Sequence, residues 1–392
     1  MLLTALKNLR SKHLSNVLWL FTIFYSMSIG IEEGAGSDIT RYIRQLELFH
    51  QIPFDASTAI GYYQDSREID ILRLFIAITV SRFTGNGYIL VIIYGIIFGY
   101  FFSRNLTYII SKLRGKLKVI TIALIVIFFL LNPIWNINGF RFWTATHTFL
   151  YGLLPFLLEG KKKPLLWCLA TPFVFHFAFF LPLGILGAYL FLGNRITLFY
   201  TFFIISLFIS EINIKWVGNT IEQFAPTRLA ERTEGYFYKD KIEAYQTKDE
   251  RLSWHARYYR KGLHWSLSLL LIVLYWKSKK ILLTDKTLLN ILAFTYLLYG
   301  VANIVSNIPS GIRYLILANM LAAAFLAIYL QNNRQERIVR ELVRMTFPLL
   351  VLFIIVAVRT GFYQMSITTL IGNPIFSLFT MGENIPLNTL IK

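Results

Sequence analysis

The sequence predicts an all-α, polytopic transmembrane bundle, and three observations predict it. Of the 392 residues, 56% are hydrophobic and 16% aromatic, while only 15% carry charge. A soluble chain of this length needs roughly a quarter of its residues charged to cover its surface. The charges also stand in clusters, and between them run apolar stretches near the ~20 residues that cross a bilayer core of ~30 Å. Finally, 39 Lys+Arg against 21 Asp+Glu give a formal charge of +18. Alternating with apolar runs, that excess reads as the positive-inside bias of short cytoplasmic loops rather than as a nucleic-acid footprint. No part reads as an independent soluble domain, so residues 1–392 form one integral membrane domain. Cys168 is the only cysteine, which excludes an intrachain disulfide and a cysteine-based metal cluster.

The elements follow in order. Lys7, Arg10 and Lys12 precede the first span, about 15–31, and put the N-terminus in the cytoplasm. Ile31, Glu32 and Glu33 follow without a small-residue cleavage site, so this span is retained. Residues 32–86 form an outer segment. Within it the run Ile69 to Phe83 is too short to cross and is interrupted by Arg73 and Arg82, which predicts an interfacial helix. Further spans fall at about 87–104, 117–134 and 139–158, the last ending at Lys161, Lys162 and Lys163.

The run Pro164 to Leu192 decides the topology. Taken as one span, it puts the basic groups Lys277/Lys279/Lys280 and Arg334/Arg337/Arg340/Arg344 outside; taken as a re-entrant hairpin, it keeps both inside. Its length is too short for two full crossings. Pro172 and Pro182 offer breaks, with His176 at the turn, and broken helices at membrane depth often line binding cavities. Charge favours the hairpin. Spans at about 196–212, 263–276, 287–305, 312–331 and 346–363 then complete about nine full crossings. The segment 213–262 becomes a long outer polar loop, and the C-terminus lies outside.

The outer side is unusually rich in arginine. Arg41, Arg44 and Arg67 fall in the first outer segment, while Arg228, Arg232, Arg251, Arg257 and Arg260 fall in the long loop. Acids beside the loop arginines allow a plain ion-paired surface. Arg141 and Arg313 are harder to explain, because each opens an apolar helix, where a guanidinium is costly unless it snorkels or meets an anion. Asn138, three residues before Arg141, would share its face. Arginine's planar fork suits bidentate phosphate capture, so several converging at one membrane surface point to a lipid-linked phosphate or diphosphate.

Asp38, Arg41/Tyr42, Gln45 and Phe49 recur at helical spacing on one face. Asp38 either caps that helix or sets a carboxylate beside a sugar hydroxyl. His176, in an aromatic run, is either a buried structural group or a proton acceptor. The aromatics around His255 and His264 form an interfacial belt or a platform for sugar rings. Glu68 and Asp70 make a pair too common by chance to predict a metal site.

Four stretches resemble one family, the EpsG/Wzy-type polymerases of bacterial exopolysaccharide, capsule and O-antigen pathways. The stretch from Gly36 to Tyr42, with Asp38 and Arg41, is similar to its Asp-x3-Tyr signature. Asn138 to Ala145, with Arg141, is similar to its Arg-Gln-x-x-Ala opening of a middle span. The lysine-rich lead into Phe175-His176-Phe177-Ala178 resembles its His-Lys-Ser-Ala stretch, and Ile312-Arg313-Tyr314 a late arginine-bearing helix start. Phe142 stands where a glutamine is expected, and Phe177 where a polar residue is.

The resemblance implies a GT-C-like, metal-independent glycosyltransferase needing no cofactor. It would join undecaprenyl-diphosphate-linked oligosaccharide repeats on the outer face of the cytoplasmic membrane. Asp38 and His176 would then be the catalytic candidates. Arg41, Tyr42, Asn138, Arg141, Arg257, Arg260 and Arg313 would bind the diphosphate or sugars. Expected partners are the lipid-linked oligosaccharide, membrane lipid, and a chain-length regulator and flippase of the same pathway. Two other classes stay open: a transporter or flippase of lipid-linked sugars, and a membrane O-acyltransferase or O-antigen ligase acting on the same glycans.

Overall fold

The structure is a computed structural model that describes residues 13–30, 38–52, 56–65, 71–209, 253–277, 284–308, 310–370 and 387. Gly36, Ser37, Arg67, Glu68, Asp70, Arg228, Arg232 and Arg251, most of the long polar loop, and the end of the C-terminal tail lie outside those residues. The described residues are almost wholly helical, and the one strand-like feature among them is an isolated bridge between Ile29 and Met365.

The helices run back and forth between two ends of the bundle. One end is basic: Lys112 and Lys161 both pair with Glu159, the Arg114 amide donates to Asn332, and the Lys118 amide to Gln331. α1 (Leu14–Met27) leaves it, since Arg104 reaches Asn16 there, and ends where Ile29 bridges Met365. α2 (Asp38–Gln51), α3 (Ala56–Asp65) and α4 (Leu72–Ser81) stay at the far end. α5 (Gly87–Ser111) then returns to the basic end.

α1 and α5 touch almost backbone to backbone. A Cβ on Gly95 would strike Ser26, and one on Gly99 would lie 2.8 Å from Thr22. Small residues four apart are a standard way for helices to approach in lipid, where the apolar environment supplies no hydrophobic drive and close packing must hold the pair.

α6 (Val119–Leu131) runs to the far end, where a 3-10 turn (Ile134–Gly139) leads into α7 (Phe140–Glu159), which comes back. α7 ends on Gly160 in the left-handed region, a position glycine occupies without Cβ strain. His147 is fully buried in α7. Its Nε2 donates to the Asn132 carbonyl at 3.1 Å, and its own carbonyl accepts from Asn105 at 2.7 Å. That is a satisfied structural histidine.

The segment 164–192 is broken, as its prolines suggest, although not at the prolines. α8 (Leu165–Val174) continues through Pro172 and stops two residues later. A 3-10 turn (Phe177–Phe179) follows, then α9 (Phe180–Leu192), with Pro182 in the first turn, where a missing N–H costs nothing. α8 climbs back along α7, with the Cys168 thiol on the Phe149 carbonyl and His176 beside Phe142. α9 descends along the next helices until Asn194 bonds Asn290 near the basic end. Both feet of the pair therefore stand at one end and its turn at the other.

α10 (Ile196–Ser206) and α12 (Lys286–Val305) rise side by side, Asn303 bonding Ser206 at 2.8 Å. The Asp285 carboxylate caps α12 by accepting from the Thr287 and Leu288 amides. α11 (Trp254–Lys277) and α13 (Ile312–Asn332) descend, and α14 (Arg337–Gly361) rises, followed by a single turn, α15 (Ile367–Leu370). α13 is the central post, with nearly all of it buried.

Two expected boundaries move. Arg257 and Arg260 stand on the first turns of α11 rather than in a loop, because the aromatic run from Trp254 already carries helical packing. α14 begins at Arg337, so Arg337, Arg340 and Arg344 ride on the helix, where a basic turn below an apolar one remains solvated.

Among the described residues, five helical segments can cross a membrane by length and composition: α5, the stretch Val119–Glu159, α12, α13 and α14. α1, α4, α8, α10 and the segment Phe177–Leu192 are apolar but shorter. α4 presses Leu74 and Ala77 onto Phe49 of α2 and leaves Phe75 exposed, the two-faced pattern of a helix lying in an interface. Its Arg73 is buried, only 2% exposed, over the Tyr42 ring and against Gln45. The multi-pass membrane character of the chain follows from these helices.

Candidate functional site

The far end of the bundle gathers most of the residues singled out above, from three directions. The first is α2. Its Ile39 amide donates to the Asn138 side chain at 3.2 Å, which ties the start of α2 to the 3-10 turn before α7. Asp38 and Arg41 pair at the exposed edge of this corner. Arg41 is thus turned away from the buried face that Tyr42 and Phe49 share.

Tyr42 points inward. The Arg73 guanidinium lies 4.7 Å from its ring centroid, and Tyr94 meets it edge-on at 6.1 Å. Burial pushes the Tyr42 phenol above its ordinary range, and the Asp38 charge pushes the same way. Arg141, Arg73 and Arg41 each pull it back. One ring therefore lies within electrostatic reach of a carboxylate and three guanidinium groups.

The second direction is the start of α7, where Phe142 follows Arg141 and acts as a hub. The Arg313 guanidinium stands 5.3 Å over its ring. His176 meets it edge-on at 5.5 Å and Tyr314 at 6.1 Å. The third direction is the hairpin turn, held by the Tyr314 hydroxyl donating to the Ala178 carbonyl at 2.9 Å. Phe142 thus offers a face to a cation and edges to two rings. His176 is nearly buried, and its Nδ1 accepts the Ala178 amide at 3.1 Å, capping the 3-10 turn. With that lone pair engaged, a neutral ring carries its proton on Nε2 and donates from there.

Beside the hub lies a cavity of about 320 Å³ among α6, α11, α13 and α14. Arg313 and Arg260 both line it, as do Trp135, Trp143, His264 and Gln364. The Arg260 Nε donates to the Tyr259 hydroxyl at 2.8 Å, which fixes the guanidinium at the rim. Trp143 joins cavity and corner: a Cβ on Gly139 would lie 2.8 Å from its ring and 3.9 Å from the Asp38 carboxylate. Any side chain at 139 would part them.

So Asp38, Arg41, Tyr42, Asn138 and Arg141 meet at one corner, Arg313 and His176 at the hub, and Arg260 joins Arg313 in the cavity wall. Arg257 stands one turn before Arg260 and is not part of that wall. Sequence reasoning passed over Trp135, Trp143 and Gln364 and left His264 among aromatics read as an interfacial belt or a platform for sugar rings. The spacing held one clue, since His264 is four residues past Arg260 on the same helical face. Nothing in the chain order announces the tryptophans or Gln364, which arrive from helices far apart in sequence. Chemically, the arrangement offers guanidinium groups for an anion, indole surfaces for a ring, and a carboxylate nearby.

Searches of curated proteins and of solved structures find no match to this chain. The EpsG family model does match, over residues 16–369, a span that takes in the α2 corner, the Phe142 hub and every residue of the cavity wall. The chain belongs to the EpsG family.

Proposed function

We propose that this protein is a polysaccharide polymerase: a GT-C-like glycosyltransferase joining undecaprenyl-diphosphate-linked oligosaccharide repeats at the outer face of the bacterial cytoplasmic membrane. The observation that carries the reading is the cavity in which Arg260 and Arg313 share a wall with two tryptophans, beside the corner that holds Asp38 and Arg141. Guanidinium groups suit a diphosphate, and indoles suit the apolar face of a sugar. Membership of the EpsG family supports the same pathway.

In this reading Arg141, Arg260 and Arg313 hold the lipid diphosphate of the growing chain, and Arg257 guides it in. Asp38, paired with Arg41, takes the proton from a hydroxyl on the non-reducing sugar of the next unit. That oxygen bonds to the anomeric carbon as the bond from this carbon to the diphosphate breaks. The lipid diphosphate leaves with its charge matched by the arginines. Tyr42 and Asn138 position α2, and with it Asp38. His176, its Nδ1 engaged, donates from Nε2 rather than accepts. The leaving group is already activated, so neither a nucleotide sugar nor a metal enters the step.

The alternation of helices between the two ends supports nine crossings plus the 164–192 hairpin, with the basic end and the N-terminus cytoplasmic and the C-terminus outside. A chain-length regulator and a flippase are the expected neighbours in the pathway. The test is a deletion strain. A polymerase mutant exports single capped repeats; a strain that accumulates inward-facing precursor marks a flippase instead and overturns the reading.

A further inference from the structure

Two polar atoms in the walls of the cavity are left over. His264 Nδ1 and Gln364 Oε1 are both buried, and neither has a hydrogen-bond partner among the described residues. Both residues line the cavity, His264 from α11 and Gln364 from the turn after α14. A buried polar atom without a partner is destabilising, so a folded protein keeps one where something else completes it. Around them the wall is built: the His264 ring lies 5.5 Å from the Tyr299 ring, centroid to centroid, and the Tyr299 hydroxyl donates to Asn319 Oδ1. Gln364 is anchored by its backbone, whose carbonyl accepts the Gly30 amide at 3.1 Å.

We infer that this cavity is the pocket for the sugar attached directly to the diphosphate, with His264 and Gln364 reading its hydroxyls. The inference rests on the polymerase reading and deepens it. Its volume of about 320 Å³ sits at the low end of small-ligand pockets, ~300–1,000 Å³, which suits a short piece of glycan rather than a whole repeat. A pyranose ring offers an apolar face to Trp135 or Trp143 and hydroxyls at its edge. Gln364 Oε1 accepts from a hydroxyl, and a small rotation of either side chain brings its polar atom to the ring edge. The anomeric oxygen then points toward Arg260 and Arg313, where the diphosphate sits. His264 and Gln364 thus become residues that select which repeat is polymerised.

The leftover atoms make the test sharp. Gln364→Leu keeps the side-chain volume close and removes an unsatisfied acceptor, so a ligand-reading role predicts two opposite effects. The melting temperature in detergent stays level or rises, while sugar binding weakens about tenfold, the loss of one hydrogen bond of ~1.4 kcal/mol. His264→Phe weakens binding similarly.

Binding is read as quenching of tryptophan fluorescence by two probes from a strain lacking the protein. One is the extracted lipid-linked repeat, and the other is the free oligosaccharide released from it by mild acid. Both variants lose affinity for both probes, whereas Arg313→Lys loses affinity only for the lipid diphosphate. Unchanged affinity for the free oligosaccharide in Gln364→Leu and His264→Phe overturns the sugar pocket and leaves the polymerase reading standing. A drop in melting temperature in Gln364→Leu overturns it too, because the atom would then be holding the fold. An empty lipid-linked pool with an unchanged surface glycan overturns the polymerase reading, and this assignment with it.

Discussion

Arg141 and Arg313 stand at the far-end starts of α7 and α13, each with an aromatic neighbour: Arg313 lies over Phe142, and Arg141 within reach of Tyr42. If they grip a diphosphate, Arg→Lys fails almost as badly as Arg→Ala, since an ammonium keeps the charge and loses the fork. Charge-assisted bonds of this kind are worth about 1.5–3 kcal/mol, so one loss costs roughly ten- to a hundredfold in turnover. The measurement is surface-glycan chain length at matched protein level. Normal ladders from both lysine variants return these arginines to snorkelling. Their prominence was legible in the sequence, because a cation opening an apolar helix is costly wherever it lands. The Asp38–Arg41 pair was only half legible: the spacing put both residues on a helix, while the partnership depended on Arg41 turning outward.

At the scale of elements, the hairpin carries the topology. Asn194, after α9, is exposed, and Cys168 is buried, so a cysteine at 194 reports with little background. With both feet inside, Asn194→Cys resists an impermeant thiol reagent added to whole cells, and Ser253→Cys, before α11, reacts. Labelling at 194 makes the segment a crossing and inverts everything after it.

The helices themselves were largely readable, since hydropathy and basic clusters mark spans directly. Their contacts were not. Gly95 and Gly99 look like any span glycines until Ser26 and Thr22 are seen against them. Gly99→Leu forces α1 from α5 and costs about 1–3 kcal/mol, measured as a lower melting temperature of the purified protein. Gly115→Ala near the basic end, with open space around its Cβ, serves as a strain-only control, since its φ of 67° is the one obstacle there.

The whole molecule divides its labour between two ends. Lys112, Lys161 and Glu159 bind the basic end together, and the far end holds the α2 corner, the hub and the cavity. The cavity is the part that the sequence hid, because its wall is assembled from 3-10 and helical residues between Leu130 and Gln364, with no shared period. In the proposed reading the lipid diphosphate supplies the activation, which predicts that polymerisation by the purified protein survives EDTA. Activity lost to the chelator and restored by Mg²⁺ or Mn²⁺ would bring the Glu68/Asp70 pair back into the chemistry.

The central claim is tested most directly with the purified protein in liposomes, given only lipid-linked single repeats from the deletion strain and no nucleotide sugar. The prediction is a ladder of lengthening glycan on lipid, with one lipid diphosphate released for each repeat added, and loss of that ladder in Arg313→Ala. Repeats that keep their length, whether they stay in place or move across the bilayer, would contradict it.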